Sequence, residues 1–290
     1  EDVNKLGEVL TETVSQMEEA PHILWTSEPP TSPSMISFRE RYELAWYTLG
    51  TVAMENSLAA EDETEDLEPH GPDVDLLTHM ADLVNVSITE VRAAATTAVY
   101  QIGFALVDQS AELNRKIFTA KRQIQSSARQ PQKKKALQEQ VESWNEQKEQ
   151  WEKTLEKYVI GVFLRRYKDV CANIRVGSIN ALSHLCIARP DIYIQNSFLK
   201  YLGWLLNDKD ARVRVAAVTA LMEPLEDNAD NLKAMRAGLD RFFPRLCECV
   251  VDVDTKVQEV TLELFNILQQ TGHLDSWDDD DKWAELNRRA

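Results

Sequence analysis

A recurring pattern of apolar and polar positions marks three helices in the second half of the chain. In each copy, an acidic residue precedes an Ile-Arg, Val-Arg or Val-Gln pair, and apolar residues follow at three- and four-residue steps. Such steps place the apolar side chains on one face of a helix. The copies are Asp169, Ile174-Arg175 and Ile179/Leu182/Leu185; Asp210, Val213-Arg214 and Val218/Leu221; and Asp254, Val257-Gln258 and Val260/Leu264/Leu268.

The spacing of these copies indicates a repeat architecture. The pairs begin at positions 174, 213 and 257, so they lie 39 and 44 residues apart by subtraction. This period falls in or beside the range of HEAT and armadillo repeats. One copy alone is explained as well by an ordinary amphipathic helix, whereas three copies in phase favour stacked helical hairpins. The sequence therefore predicts an all-α fold, a HEAT-repeat α-solenoid.

The clearest copy runs from Asp208 to Leu221. Its acidic residues can cap the helix start and favour the positive end of the helix dipole. Its alanines allow the next hairpin to approach closely, and we expect Arg214 to lie on the rim of the stack. A fourth copy, around Val91-Arg92, begins 83 residues before Ile174, about two periods upstream.

The additional length before the second half predicts an inserted antiparallel coiled-coil helical hairpin. Two segments joined by a break around Gln130-Pro131 carry apolar residues at alternating four- and three-residue steps, the spacing of a coiled-coil seam. At 1.5 Å per residue, arms of about 20 to 25 residues would project about 30 Å. Lys148 marks a point where the seam should loosen. The seam positions are Leu113, Ile117, Ala120 and Ile124, then Leu137, Val141, Trp144, Lys148, Trp151, Leu155 and Tyr158.

The two arms of this hairpin differ in charge. Residues 113–135 contain eight basic and no acidic residues, although the chain has a formal net charge of −16, and the return arm is rich in glutamate. One interpretation is electrostatic pairing between the arms. The other is that the tip contacts nucleic-acid phosphate or an acidic partner. The candidate DNA-binding residues are Arg122, Arg129, Lys133, Lys134 and Lys135.

The rest of the chain predicts less specific elements. An amphipathic run in residues 3–25 precedes a proline-rich linker, and the apolar helix from about Phe38 to Leu58 should lie inside the stack. Acidic loops are expected at 60–75 and after residue 274. The predicted division is 1–105, N-terminal helices and first HEAT-like repeats; 106–160, hairpin; 161–268, HEAT repeats; and 269–290, an acidic loop and the next helix.

Composition narrows the function classes. No apolar run approaches the roughly 20 residues needed to span a bilayer, so no membrane partner is expected. Cys247 and Cys249 stand two residues apart without a second ligand pair, which favours buried thiols over a metal clip. The sequence contains no glycine-rich phosphate loop, HExxH motif or Gly-x-Ser-x-Gly elbow. We therefore expect no enzymatic activity and no cofactor.

Motifs around Tyr167 carry a resemblance to a known family. The segments are Phe163-Leu-Arg-Arg-Tyr167-Lys-Asp169, Lys200-Tyr201-Leu-Gly203-Trp204, Asn207-Asp208-Lys209 with Val213-Arg214, and Arg241-Phe242. In this order and spacing they resemble the stromalin conservative domain of the STAG/SA subunit of cohesin, over about residues 160–265. A long helical hairpin just before this domain is also a feature of that family.

The resemblance implies a nuclear, chromosome-associated scaffold that binds the kleisin subunit and double-stranded DNA and supports sister-chromatid cohesion. It also implies a surface on which short aromatic motifs of regulatory proteins dock. Lys168 and Asn196 depart from the residues usual in the family. A generic HEAT adaptor, such as a transport receptor, is the alternative. The matching surface positions are Tyr167, Lys168, Lys200, Tyr201, Trp204 and Arg241.

The alternative for Tyr201 and Trp204 is that both belong to the core. They are three residues apart and share a helix face, as either role requires. The exposure of Trp204 separates the two interpretations.

Overall fold

The computed structural model of the chain describes residues 33–59, 74–126 and 131–274. Within these ranges all regular structure is helical, as the repeat pattern predicted. The N-terminal amphipathic run lies outside the described residues, as do residues 60–73 and 275–290 of the predicted acidic loops, whereas Val74 and Asp75 begin a helix. The chain forms two compact units, residues 1–165 and 166–290. The four-part division expected from the sequence stays a prediction.

The first unit is built around one long helix, α3. Helices α1, α2 and α4 all pack against it, and a π-helical segment continues α4. Helix α3 includes both the fourth Val-Arg copy and the outgoing arm of the hairpin, without interruption. The elements are α1 Pro33–Ala59, α2 Val74–Leu83, α3 Thr89–Ser126, α4 Pro131–Thr154, the π-helix Leu155–Ile160 and α5 Gly161–Arg166, which ends at the start of the second unit.

The apolar sequence of helix α1 predicted a position inside the stack, but much of the helix is exposed. Leu44 is 63% exposed, and Leu49 and Val52 are each 45% exposed. The helix packs through the face that carries Gly50 and the fully buried Met54. A Cβ at Gly50 would lie 2.9 Å from an α3 side chain, so the two helices approach closely there. The expectation was wrong because the apolar residues of α1 surround the helix, whereas only one face meets α3.

The predicted hairpin seam forms the contact between α3 and α4. Leu113, Ile117, Ala120, Val141 and Trp151 are buried in one hydrophobic cluster, and Ile124, Leu137 and Trp144 pack against it partly buried. The coiled-coil character of this pairing stays a prediction, as does its projection.

The seam changes register at Lys148. Its ammonium remains partly exposed and pairs with Glu152 at 3.7 Å, while the neighbouring Gln147 is 1% exposed. The seam therefore runs from Trp144 through Gln147 to Trp151, in steps of three and four residues, whereas the predicted seam ran through Lys148 in steps of four and three. Burying a neutral amide costs less free energy than burying an ammonium, which accounts for the one-residue shift.

The second unit contains two layers of helices. Helix α9 packs between α6 and α11 in one layer, and α8 packs on α10 in the other. The predicted stripes of α6 and α9 are buried, whereas in α11 Thr261 replaces Val260 as a fully buried position. The helices are α6 Ala172–Ala188, α7 Pro190–Tyr193, α8 Asn196–Leu205, α9 Ala211–Asp227, α10 Leu232–Val250 and α11 Thr255–Gln270, with a 3-10 turn at Ala229–Asn231.

Candidate functional site

Helix α8 divides its side chains between a buried and an open face. Leu199 and Leu202 are fully buried. Lys200 and Tyr201 are partly exposed, and Trp204 is 52% exposed. An exposed indole of this size is not a core residue, so the core interpretation of Trp204 does not hold.

Three aromatic rings form a continuous cluster on this open face. The ring of Tyr167, which follows helix α5, meets the ring of Tyr201 edge-on with 4.9 Å between centroids. Tyr201 in turn meets Trp204 with 5.3 Å between centroids and an interplanar angle of 88°. Edge-to-face pairs at such distances are favourable beyond the area that they bury. We refer to Tyr167, Tyr201 and Trp204 as the aromatic cluster.

Two lysine side chains lie close to the rings of the aromatic cluster. The ammonium of Lys200 lies 5.0 Å from the ring centroid of Tyr201 and 5.9 Å from that of Trp204. The ammonium of Lys168 lies 5.9 Å from the centroid of Tyr167. These positions are within cation–π range. The surface thus presents flat apolar area beside positive charge.

Gly203 connects the aromatic cluster to helix α10. A Cβ at this position would lie 2.2 Å from a ring carbon of Phe242, so the phenylalanine ring occupies the space that any side chain would need. Arg241 precedes Phe242 and is exposed. The sequence predicted the motif residues but not this packing, for which the Gly-Trp and Arg-Phe dipeptides were the only signal.

We predict that Gly203→Ala destabilises the second unit. The added methyl must displace the Phe242 ring, and overpacking of this kind costs about 1–3 kcal/mol. Gly177→Ala is the matched control, because a Cβ there meets no atom within 4 Å and alanine favours helix by up to about 1 kcal/mol. Urea denaturation measures both variants. A second change, Phe242→Leu, should recover part of the loss, and equal stability of the two single variants would contradict the packing argument.

Two buried arginine–aspartate ion pairs join successive repeats of the second unit. We refer to Arg175–Asp208 and Arg214–Asp252 as the ladder. Arg175 donates from Nε and Nη2 to the two carboxylate oxygens of Asp208, at 2.8 and 2.7 Å. Arg214 binds Asp252 in the same way, at 2.9 and 2.6 Å. Each pair joins one repeat to the next. Arg175 and Arg214 are only 5% and 7% exposed, so the expectation that Arg214 lies on the rim was wrong.

The arginines also hold the loop of their own repeat. Nη1 of Arg175 donates to the carbonyl of Asp169 at 2.7 Å, and Nη1 of Arg214 donates to that of Asp208 at 2.8 Å. In the first unit, Arg92 makes the equivalent bond to Val86 at 2.9 Å. Each donor lies six residues after its acceptor. This shared geometry identifies Val91-Arg92 as the same repeat element.

The acidic residues of the copies serve two different roles. Asp210 and Asp254 cap helices α9 and α11 by accepting backbone N–H groups. Asp169 instead corresponds to Asp208 and Asp252, because each accepts the N–H two residues later at 2.9 Å. The sequence pattern made Asp169 equivalent to Asp210 and Asp254, and this assignment was wrong by two positions.

The basic residues predicted to bind DNA are open to solvent where the structure describes them. Arg122 is exposed on α3, with its guanidinium carbon 5.9 Å from the ring centroid of Phe118. Lys133 and Lys134 are exposed at the start of α4. Lys135 lies 3.5 Å from Glu139, and both side chains are mostly exposed, so this pair is weak. Arg129 lies outside the described residues.

Ion pairs on the two arms bear on the alternative interpretation of these charges. Arg115–Glu112 joins residues of α3, and Lys148–Glu152 and Lys153–Glu149 join residues of α4. These pairs act within an arm, like Lys135–Glu139. These four ion pairs join residues of the same helix, so they do not support the interpretation in which the charges pair between the arms.

The cysteines considered as a metal site are free thiols in the structure. Cys249 is buried, and desolvation raises the pKa of its thiol. Across residues 33–59, 74–126 and 131–274, no three His, Cys, Asp or Glu side chains are grouped as metal ligands. In the same ranges, no helix has the length and apolarity to cross a bilayer.

Comparison with known proteins places the site within a defined family. The family model of the stromalin conservative domain matches residues 168–243, which include most of the cluster and its cations. Sister-chromatid cohesion protein 3 of Arabidopsis thaliana is 37% identical over 100 residues, covering 34% of this chain and 9% of that protein. Cohesin subunit scc-3 of Caenorhabditis elegans is 31% identical over 202 residues, covering 67% of this chain and 18% of that protein.

A solved structure shows the same fold. Cohesin subunit Scc3 from Z. rouxii matches with a TM-score of 0.78 at 21% identity, covering 97% of this chain and 31% of that one. The chain spans less than a fifth of the length of the two curated relatives. Family model, curated relatives and fold agree with the resemblance seen in the motifs. The chain belongs to the STAG/SA (stromalin) family of cohesin subunits and contains the stromalin conservative domain.

Proposed function

We propose that the chain is part of a non-catalytic scaffold subunit of cohesin, nuclear and chromosome-associated, that supports sister-chromatid cohesion and chromosome segregation. Its partners are the kleisin subunit, double-stranded DNA and regulatory proteins. The observation that carries this proposal is the half-exposed Trp204 within the segment matched by the stromalin conservative domain. Stacked helical hairpins suit this role because they present extended surfaces for several partners.

The aromatic cluster and its cations form the docking site for regulatory proteins. Tyr and Trp supply rigid contact area at low entropic cost, and such residues are enriched among binding hot spots. Lys168, Lys200 and Arg241 add positive charge to a chain whose net charge is −16. The preferred ligand is therefore a short peptide with an aromatic side chain and flanking acidic residues. Trp204 contacts the ligand ring, and the cations pair with its carboxylates.

The basic tip of the hairpin contributes the DNA contact. Lys133, Lys134 and Lys135 are consecutive and exposed, and Arg122 adds charge on the facing arm. Lysine side chains of this kind neutralise phosphates and release counterions, independently of base sequence. Binding at the tip would thus be non-specific and strongly dependent on salt.

We predict that reversing the tip charges weakens duplex DNA binding. The triple variant Lys133→Glu/Lys134→Glu/Lys135→Glu should lower the affinity for duplex DNA at least about ten-fold. The negative slope of log K against log salt concentration should become shallower by about three, because three phosphate contacts are lost. A mobility-shift titration at several salt concentrations measures both quantities. The double variant Lys153→Glu/Lys157→Glu, exposed farther along the chain from the tip, is the control and should have a smaller effect.

The same titration separates the proposal from a generic HEAT adaptor. An adaptor such as a transport receptor would bind proteins but not duplex DNA. Absence of salt-dependent binding by the unmodified chain would favour the adaptor. Equal slopes for the unmodified chain and the triple variant would remove the tip from the interface.

A further inference from the structure

Three loops of the second unit present their middle residue to solvent in the same way. They precede helices α6, α9 and α11 and read Asp169-Val170-Cys171, Asp208-Lys209-Asp210 and Asp252-Val253-Asp254. In each, the first aspartate accepts the N–H of the third residue at 2.9 Å. This shared turn holds Val170, Lys209 and Val253 at equivalent positions, which we call the loop edge.

The loop edge is unusually apolar for a solvent-exposed surface. Val170 is 84% exposed and Val253 is 97% exposed. Both follow an aspartate that is held by an arginine, so neither loop can turn inward without breaking a buried ion pair. Exposed apolar side chains fixed in place by a rigid scaffold are typical of binding surfaces.

The charge of the loop edge is also defined. Lys209 is exposed between two aspartates, but Asp208 is bound by Arg175 and Asp210 by Arg212. These arginines neutralise the carboxylates, and hydrogen bonding to Arg212 holds the pKa of Asp210 below its usual range. The ammonium of Lys209 is therefore the uncompensated charge at the centre of the edge, and an anionic group complements it.

We propose that the loop edge binds an extended peptide with an acidic residue between two apolar ones. Helix α9 packs against both α6 and α11, and packed helices lie about 8–10 Å apart. A peptide in the extended polyproline II conformation rises about 3.1 Å per residue and has three residues per turn, so three residues span this distance and residues i, i+3 and i+6 lie on one face. The peptide thus places apolar side chains on Val170 and Val253 at positions i and i+6, and its carboxylate on Lys209 at position i+3. None of these three residues belongs to the aromatic cluster, and the inference does not depend on the proposal for that cluster.

The test uses the 290-residue chain and a fluorescein-labelled peptide containing Leu-Ser-Thr-Glu-Ser-Thr-Leu, with fluorescence polarisation as the readout. Val253→Ser should weaken binding about five-fold and Lys209→Glu about ten-fold. A peptide with Lys in place of Glu should bind Lys209→Glu better than it binds the unmodified chain. Leu262→Ser, at a 54% exposed position of α11, and Trp204→Ala should leave binding unchanged.

Several outcomes would overturn this inference. One is equal binding of a peptide with the same composition in the order Leu-Leu-Glu-Ser-Ser-Thr-Thr, since spacing would then play no part. Another is an equal loss in Leu262→Ser. A third is a loss of duplex DNA binding in Lys209→Glu without any effect of Val253→Ser on the peptide, which would make the edge a phosphate-binding surface. A loss confined to Trp204→Ala would assign the peptide to the aromatic cluster instead.

Discussion

Replacing Arg214 with methionine should lower the free energy of unfolding of the second unit by about 3–5 kcal/mol, because it leaves the carboxylate of Asp252 buried without its partner. The two side chains are only 9% and 7% exposed and are joined by a two-pronged hydrogen bond. The substitution also removes the bond to the Asp208 carbonyl. Hydrogen exchange of the amides in α9 and α11 measures the loss locally, independently of the first unit.

The matched control is Arg212→Met. Arg212 also forms an ion pair, with Asp210, but its side chain is 40% exposed. Pairs of this kind contribute about 1 kcal/mol or less. Comparable destabilisation by the two substitutions would show that burial of the ladder has no energetic weight.

The same ion pair predicts a dependence of stability on pH. Burial raises the pKa of Asp252, but hydrogen bonds from Arg214 and from the N–H of Asp254 outweigh it, so the pKa lies below its usual value. A depressed pKa in the folded state stabilises the protein fully above the unfolded value of about 3.9. This contribution is lost as pH falls through the folded pKa, and it should be much smaller in Arg214→Met, which keeps only the hydrogen bond from the N–H of Asp254.

The sequence predicted the repeated helices but not how the repeats are joined. The period of 39 and 44 residues and the stripes were sufficient to place α6, α9 and α11. The partner of Arg175 is Asp208, 33 residues away in the next repeat, and no local pattern indicates that contact. The arginines looked solvent-exposed because a lone charge seldom occurs in a core. These arginines can be buried because carboxylate and carbonyl oxygens of the adjacent loops accept hydrogen bonds from their guanidinium groups.

Helix α1 illustrates a limit of a different kind. Its apolar residues surround the helix, so the sequence could not indicate which face would be covered. Contact with α3 selected the face with Gly50 and Met54, where a missing side chain allows close approach. In the hairpin, a one-residue shift buried Gln147 in place of Lys148. In both cases the outcome depends on what the opposing surface accepts.

The candidate site was predictable as a set of residues and only partly as an arrangement. Tyr201 and Trp204 are three residues apart, which places them on one face of α8. The contact of Tyr167 with Tyr201 crosses 34 residues of sequence and requires the fold. The packing of Phe242 against Gly203 and the half-exposed state of Trp204 likewise require the fold, because no local pattern indicates which side chains α10 covers.

Replacing Trp204 with alanine should abolish most of the affinity for an aromatic acidic peptide while leaving the fold intact. A central aromatic hot spot contributes about 2–4 kcal/mol, which corresponds to roughly 30- to 1,000-fold in Kd. Because the indole is 52% exposed, its removal opens no enclosed cavity. Fluorescence polarisation with labelled Ser-Asp-Glu-Phe-Glu-Asp-Ser measures affinity, and thermal unfolding measures stability. Arg241→Glu should weaken binding of the same peptide about ten-fold through charge repulsion.

Phe118→Ala is the matched control for the loss of an exposed ring, since Phe118 is 64% exposed and belongs to the first unit. It should leave the peptide affinity unchanged. If Trp204→Ala lowered the melting temperature and the affinity together, the indole would be a structural support and the docking site would lie elsewhere. If binding survived both Trp204→Ala and Arg241→Glu, the aromatic cluster would not be a peptide site, because neither the loss of its exposed ring nor the reversal of charge at Arg241 would have had an effect.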